Sequence, residues 1–366
     1  MFGRSWKVAT IGGIPVNIDS SWLWIAVLVT WSLWSQFELH YPMVSSNAAL
    51  GFAAFAAVLF FGSVFLHEVA HAVAARLNGI KVLGITLVVF GGFTSARSEE
   101  KGPGPAFLIS AVGPATSLAL GGLFWALARA TDSSGGPLSG ALGYVSFINL
   151  LMAGFNVLPG LPLDGGRMLL AVVWSVTGDQ NSGTRIAARA GVLVGGLLIA
   201  IGVFVASGGK NPFLGIWFVI IGVFILQAAR SSEHTMRIRD RLAAGTVADV
   251  MTAPPPAVPA EMTLSEALDR FLRGHEGEAF PVVEGGRVIG MVSFASAREV
   301  GSEDPLRPVR DALIPLEHVL IASPEERLDA VSDRLGAGRA ALVLRNGELV
   351  GAISGRVVYS WATASR

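Results

Sequence analysis

Residues 41–66 carry no formal charge, and this is one of several long apolar stretches that constrain the fold more than any other feature of the chain. A helix that crosses a bilayer needs roughly 20 mainly apolar residues. Six segments meet or approach that length, near residues 20–37, 48–66 (continuing as helix to about Leu77), 105–128, 142–158, 191–206 and 212–229. The fifth is short and Gly-rich. Hydrophobic residues make up 52% of the chain and charged residues only 15%, against about 25% charged in ordinary soluble proteins. These numbers predict a polytopic α-helical membrane protein with about six transmembrane helices. Residues 1–7 and 11–15 do not form a cleavable leader, because the apolar run that follows is long and no small-residue cleavage site closes it. The first span is therefore expected to remain in the mature protein.

Short cytoplasmic loops collect Lys and Arg. Arg4 and Lys7 precede the first span, and Arg76, Lys81, Arg97 and Lys101 lie between the second and third. Arg167, Arg185 and Arg189 follow the fourth, and Arg230, Arg237, Arg239 and Arg241 follow the sixth, whereas the other side holds little beyond Arg129 and Lys210. Both termini are thus expected in the cytoplasm. The zero net charge carries no signal of nucleic-acid binding.

The second span ends in His67-Glu68-Val69-Ala70-His71. On a helix, histidines at i and i+4 share a face and can hold one Zn²⁺, with the intervening glutamate placed to take a proton from water. Catalytic zinc usually takes three protein ligands. The chain has no cysteine, so the third must be His, Asp or Glu. Asp164 is the candidate: no charged residue occurs from Ser133 to Leu163, and Asp164 then follows in Asn156-Val157-Leu158-Pro159-Gly160-Leu161-Pro162-Leu163-Asp164-Gly165-Gly166-Arg167. An ionisable residue at the edge of a membrane span is by default a functional candidate. Pro159 and Pro162 break the helix, and Gly165-Gly166 allow close approach or positive φ. The alternatives are structural. Asp164 could cap a helix beginning at Gly165, the histidines could form a buried hydrogen-bonded pair, and Asn156 could bridge helices. Asn149, seven residues earlier, reads as a packing contact.

The pair of motifs, His67–His71 and Asn156–Gly165, resembles that of the site-two proteases, zinc metalloproteases that cut substrates within the membrane. The resemblance covers residues 1–230. It implies that His67, His71 and Asp164 bind one zinc ion per chain, that Glu68 is the general base, and that Asn156 holds the scissile carbonyl or its oxyanion. It also implies a membrane-embedded sheet near residues 85–96. There, runs at 85–90 and 93–96 flank a Gly91-Gly92 pair expected to form the hairpin turn, although an ordinary connector would also suit them. An enzyme strand edge would compensate the backbone of an unwound substrate helix. The implied substrate is a single-span regulatory protein such as an anti-sigma factor, reached within the lipid bilayer. Two other functions fit the pattern less well. A zinc transporter would need a polar path across the bilayer, and a catalytically inactive scaffold would be expected to lose one of the four core residues.

After a charged linker, 231–245, a repeat appears with an offset of 61 to 62 residues. Val247-Ala248-Asp249-Val250-Met251 aligns with Val309-Arg310-Asp311-Ala312-Leu313, and Gly290-Met291-Val292-Ser293 with Gly351-Ala352-Ile353-Ser354. The repeat resembles a cytoplasmic tandem pair of α/β CBS domains, assigned to 246–303 and 304–366. Such pairs often bind adenine nucleotides, commonly with an acid three positions after the Ser/Thr of the second motif to hold the ribose. Ser296 and Val357 stand there instead. Adenine-nucleotide binding is therefore expected to be weak or absent, and homodimerisation or substrate docking becomes the expected role.

Overall fold

The structure is a computed structural model, and it describes residues 5–88, 91–96 (backbone only), 102–131, 135–208, 212–275, 278–302, 304–335 and 340–364. Arg4, Phe90, Arg97, Lys101, Lys210, Glu303 and Arg366, each named above or ending an assigned segment, lie outside this set. The chain divides into two units, residues 1–234 and 235–366.

The first unit opens with two strands, β1 (Ser5–Ile11) and β2 (Ile14–Asp19), joined by Gly12-Gly13. Both glycines have positive φ, 56° and 81°, as a two-residue turn between twisted strands requires. Asp19 then caps α1 (Ser20–His40) by accepting a hydrogen bond from the Ser21 N–H at 2.9 Å. The long helix α2 (Ser46–Leu77) carries the histidine motif without interruption. Next come β3 (Val82–Val88), β4 (Gly91–Ala96), α3 (Pro103–Thr131), α4 (Pro137–Asn156), α5 (Asp164–Thr177), α6 (Gln180–Ser207) and α7 (Pro212–Ala244). The four strands form one sheet in the order β1-β2-β3-β4, with β2 and β3 parallel.

Among the described residues, five helices are long and apolar enough to cross a membrane: α2, α3, α4, α6 and α7. Helix α1 has 21 residues, but its four tryptophans and four serines make it less apolar than those five. The membrane unit thus matches the expected polytopic fold, and several boundaries differ from expectation. Helix α6 begins at Gln180, where Asp179 caps it by accepting from the N–H groups of Asn181 and Ser182. Residues 231–244, expected as a linker, continue α7 to Ala244. The sheet near 85–96 is present, but Gly91-Gly92 is not its turn. Gly91 and Gly92 belong to β4 and pair with Val88 and Leu87, and residues 89–90 lie outside the described residues.

The second unit contains both repeats. Strands β5 (Val258–Pro259), β6 (Ala279–Glu284), β7 (Arg287–Ser293) and β8 (Ile314–Pro315) form one sheet, and β9 (Ile321–Ala322), β10 (Ala340–Arg345) and β11 (Glu348–Ser354) another. Helices α8 (Leu264–Ala267), α9 (Phe294–Gly301), α10 (Leu328–Leu335) and α11 (Gly355–Thr363) cover them. The repeats exchange their opening segments. Val247 and Val250 are buried in the core of the second repeat with Leu328, Val343 and Ile353, while Val309 and Ala312 are buried in the core of the first with Leu264, Val282 and Val292.

Candidate metal centre

The site is built on α2. His67 and His71, one turn apart, both present Nε2 to a carboxylate oxygen from the start of α5. The three atoms form a nearly equilateral triangle. His67 Nε2 lies 3.2 Å from Asp164 Oδ2, His71 Nε2 lies 3.4 Å from it, and the two Nε2 atoms are 3.2 Å apart. Ligands about 2.0–2.1 Å from a tetrahedral zinc are separated by roughly 3.3 Å. Side-chain exposures of 7% for His67, 12% for His71 and 17% for Asp164 leave the triangle mostly enclosed.

The partner of its other ring nitrogen fixes the tautomer of His71. His71 Nδ1 lies 2.6 Å from the carbonyl oxygen of Ile109. A carbonyl only accepts, so the proton sits on Nδ1 and the Nε2 lone pair faces the triangle. His67 Nδ1 lies 2.9 Å from the hydroxyl of Ser117, which is completely buried on α3. With His67 in the same tautomer, three lone-pair-bearing atoms converge in a mostly buried cluster. Asp164 Oδ2 has no hydrogen-bond donor there. Such a cluster is stable when a cation holds it together.

Room for that cation comes from Gly113 of α3. A Cβ at this position would fall 2.2 Å from His71 Nε2 and 2.7 Å from His67 Nε2. The donor chemistry, the orphaned carboxylate oxygen and the space left by a missing side chain therefore all fit a metal ion.

Asp164 reaches the triangle through its loop. Leu161 N–H donates to the Ala187 carbonyl of α6 at 3.1 Å, and α5 packs between α3 and α6. The glycines after Asp164 allow close backbone approach and do not have positive φ: a Cβ on Gly165 would fall 2.2 Å from the Val157 carbonyl oxygen. Asp164 does not cap α5. The N-cap is Leu163, with no side-chain hydrogen bond. This leaves the Asp164 carboxylate facing the histidines.

Glu68, the residue next to His67, is buried. Asn156 ends α4, half-buried, with Nδ2 donating to the Met152 carbonyl at 3.1 Å. The contact of Val157 with Gly165 joins the end of α4 to the start of α5, so the residues before them, Asn156 and Asp164, are brought into one neighbourhood. Asn149 is completely buried and bridges to α2, as the packing reading expected. Gly113 and Ser117 were not singled out in the sequence. Their spacing of four on an apolar helix is a common small-residue pattern, and nothing local connects it to a histidine on another helix.

The Rip3 protein of Mycobacterium tuberculosis is 37% identical over 353 residues, covering 94% of this chain and 89% of Rip3. The model of peptidase family M50 matches residues 55–135 and 130–201. The chain belongs to that family. A CBS domain model matches residues 247–301. A second relative, sll0528 of Synechocystis, is 32% identical over 355 residues, covering 94% of this chain and 92% of that protein. Both relatives carry zinc metalloprotease in their designations. The solved site-2 protease of Methanocaldococcus jannaschii is 25% identical, with a TM-score of 0.44, and covers 63% of this chain and 95% of its own. M50 membership makes this chain a membrane-embedded peptidase of the site-two type with a CBS region.

Proposed function

We propose that His67, His71 and Asp164 hold one zinc ion and that Glu68 and Asn156 act beside it to hydrolyse a peptide bond in or near the transmembrane segment of a membrane protein. The observation that carries this reading is the triangle of Nε2, Nε2 and Oδ2 with edges of 3.2 to 3.4 Å around the space left by Gly113. Zinc, when bound, supplies Lewis acidity and lowers the pKa of water to about 7. Glu68 accepts the proton of the attacking water and passes it to the leaving amine. The Asn156 amide turns from its own helix to donate to the oxyanion. His71 and His67 keep their protons on Nδ1, held by Ile109 and Ser117.

The sheet bears on how the substrate is presented. A helix hides its peptide bonds in its own hydrogen-bond ladder, and an unwound segment pairing with the edge strand β4 would satisfy the groups it frees. The substrate is a single-span regulatory protein, of which an anti-sigma factor is an example. Arg76 and Lys81 beyond the histidines support a cytoplasmic active site, with both termini on that side. Residues 1–230 form the protease domain. Residues 246–303 and 304–366 are the CBS repeats, which serve homodimerisation or docking. Ser296, where a ribose-binding acid would stand, instead spends its hydroxyl on Ser293.

Comparing membrane proteomes of cells that express wild-type protein or Glu68→Gln tests the whole reading. A single-span protein should accumulate uncut with the variant. Identical proteomes would count against proteolysis by this site.

A further inference from the structure

Helices α2 and α4 meet through a mostly apolar surface. Ala49, Ala53, Ala56 and Ala57 of α2 and Ala141 and Val145 of α4 are buried in one apolar cluster, with Phe52, Leu59 and Tyr144 packed against it. Small residues let helices approach closely. A buried polar contact stands beside this cluster. Asn149 Nδ2 donates to Ser63 Oγ at 3.1 Å and to the Val145 carbonyl at 2.8 Å. The Ser63 hydroxyl donates to the Leu59 carbonyl at 2.8 Å, so its lone pairs are free for Asn149. Both side chains are buried, with exposures of 0% for Asn149 and 2% for Ser63. A lone polar pair in an apolar helix interface fixes register, because sliding would strand its donors where no water can reach them.

That register bears on the site. Helices α2 and α4 both run antiparallel to α3, whose Ile109 and Ser117 meet His71 and His67 and whose Ala128 and Gly121 meet Ser139 and Ser146, so α2 and α4 run in the same direction past the Ser63–Asn149 bond. Seven residues, roughly 10.5 Å and close to two turns, separate Asn149 from Asn156 on one face of α4. The same step from Ser63 reaches Ala70, between His67 and His71. Helix α3 gives a second, independent measure. Ser146 donates to the Gly121 carbonyl at 2.8 Å, and a Cβ on Gly121 would fall 2.7 Å from Leu150 Cδ2. Gly121 is therefore level with the stretch between Ser146 and Leu150. Gly113, eight residues back along antiparallel α3, faces His67 and His71. Eight residues forward from the middle of that stretch on α4 again reaches Asn156.

We infer that Asn149 is a positioning residue: its bond to Ser63 sets the height of α4 so that Asn156 stands level with the metal-binding turn. The inference rests on the reading of Asn156 as the oxyanion donor. A donor of that kind acts over 2.7–3.1 Å, whereas a slip of one residue moves it by about 1.5 Å and rotates it by about 100°.

The test uses full-length protein in detergent micelles, with unstructured β-casein as the probe. Asn149→Leu and Ser63→Ala are each placed in the wild-type and Asn156→Ala backgrounds, and zinc content is measured throughout. In the wild-type background each should lower kcat about ten- to a hundredfold, with KM within about twofold and zinc unchanged. In the Asn156→Ala background neither should lower kcat by more than about twofold. Ser63→Ala breaks the same bond by a smaller change and decides the matter if Asn149→Leu does not fold. Equal losses in both backgrounds, loss of zinc, or undiminished kcat in the wild-type background would overturn the inference. A wild-type kcat for Asn156→Ala alone would instead remove the oxyanion reading on which it rests.

Discussion

Gly113 of α3 faces His71 of α2 so closely that a Cβ on the glycine would fall 2.2 Å from His71 Nε2. That is about the length of a zinc–nitrogen bond. Replacing Gly113 with alanine should therefore put carbon where the metal belongs. We expect Gly113→Ala to reach the membrane in normal amounts, to lose most of its zinc and to lose proteolysis. Full zinc content by elemental analysis would contradict the close approach of α3 to the histidines.

Removing a ligand should act more directly. His67→Ala, His71→Ala and Asp164→Ala each leave two donors, and we expect zinc to fall from about one per chain to a small fraction of that. The same purified samples measured by mass spectrometry check this. Stoichiometric zinc in all three would sink the ligand assignment.

Ser117 offers a graded test. Ser117→Ala removes the partner of His67 Nδ1 without touching a proposed ligand. Loss of such a partner typically costs 10- to 100-fold in metal affinity or activity. Titration with a competing chelator should show weaker zinc binding of that order, and unchanged affinity would show that the contact does not orient the ring.

Glu68→Gln separates chemistry from binding. The variant keeps the shape of a buried side chain and should retain zinc, while kcat falls by about 10²- to 10⁴-fold, the usual contribution of a general base. Near-normal turnover would assign the proton transfer elsewhere.

In the second unit, Thr246 donates from its backbone N–H and its hydroxyl to the exposed carboxylate of Asp249, both at 2.8 Å. These bonds hold the Asp249 pKa below its ordinary value. A lowered folded-state pKa means stability that is present above the unfolded value, about 3.9, and lost as pH falls through the folded one. Asp249→Asn should lower the thermal midpoint of this unit slightly at neutral pH, and the difference from wild type should vanish on strong acidification. A constant difference at all pH values would exclude the charge as its source.

The apolar runs and turn residues of this chain determined its local structure. Long uncharged stretches became α2, α3 and α4 because backbone groups in lipid must satisfy one another, and the His67–His71 spacing placed two donors on one face of one helix. The Gly12-Gly13 pair is likewise a turn signal between two β runs in the sequence. The repeat at an offset of 61 to 62 residues reported two similar halves. Only tertiary structure decided which elements meet. It set Gly113 and Ser117 against the histidines and brought the carboxylate of Asp164, a candidate cap, beside both rings. It also exchanged the segments at Val247 and Val309 between the two repeat cores. Sequence periodicity marks which face of a helix or strand is buried, but carries no label for the partner that buries it. That choice depends on packing between residues far apart in the chain, and the candidate metal centre is assembled from such residues.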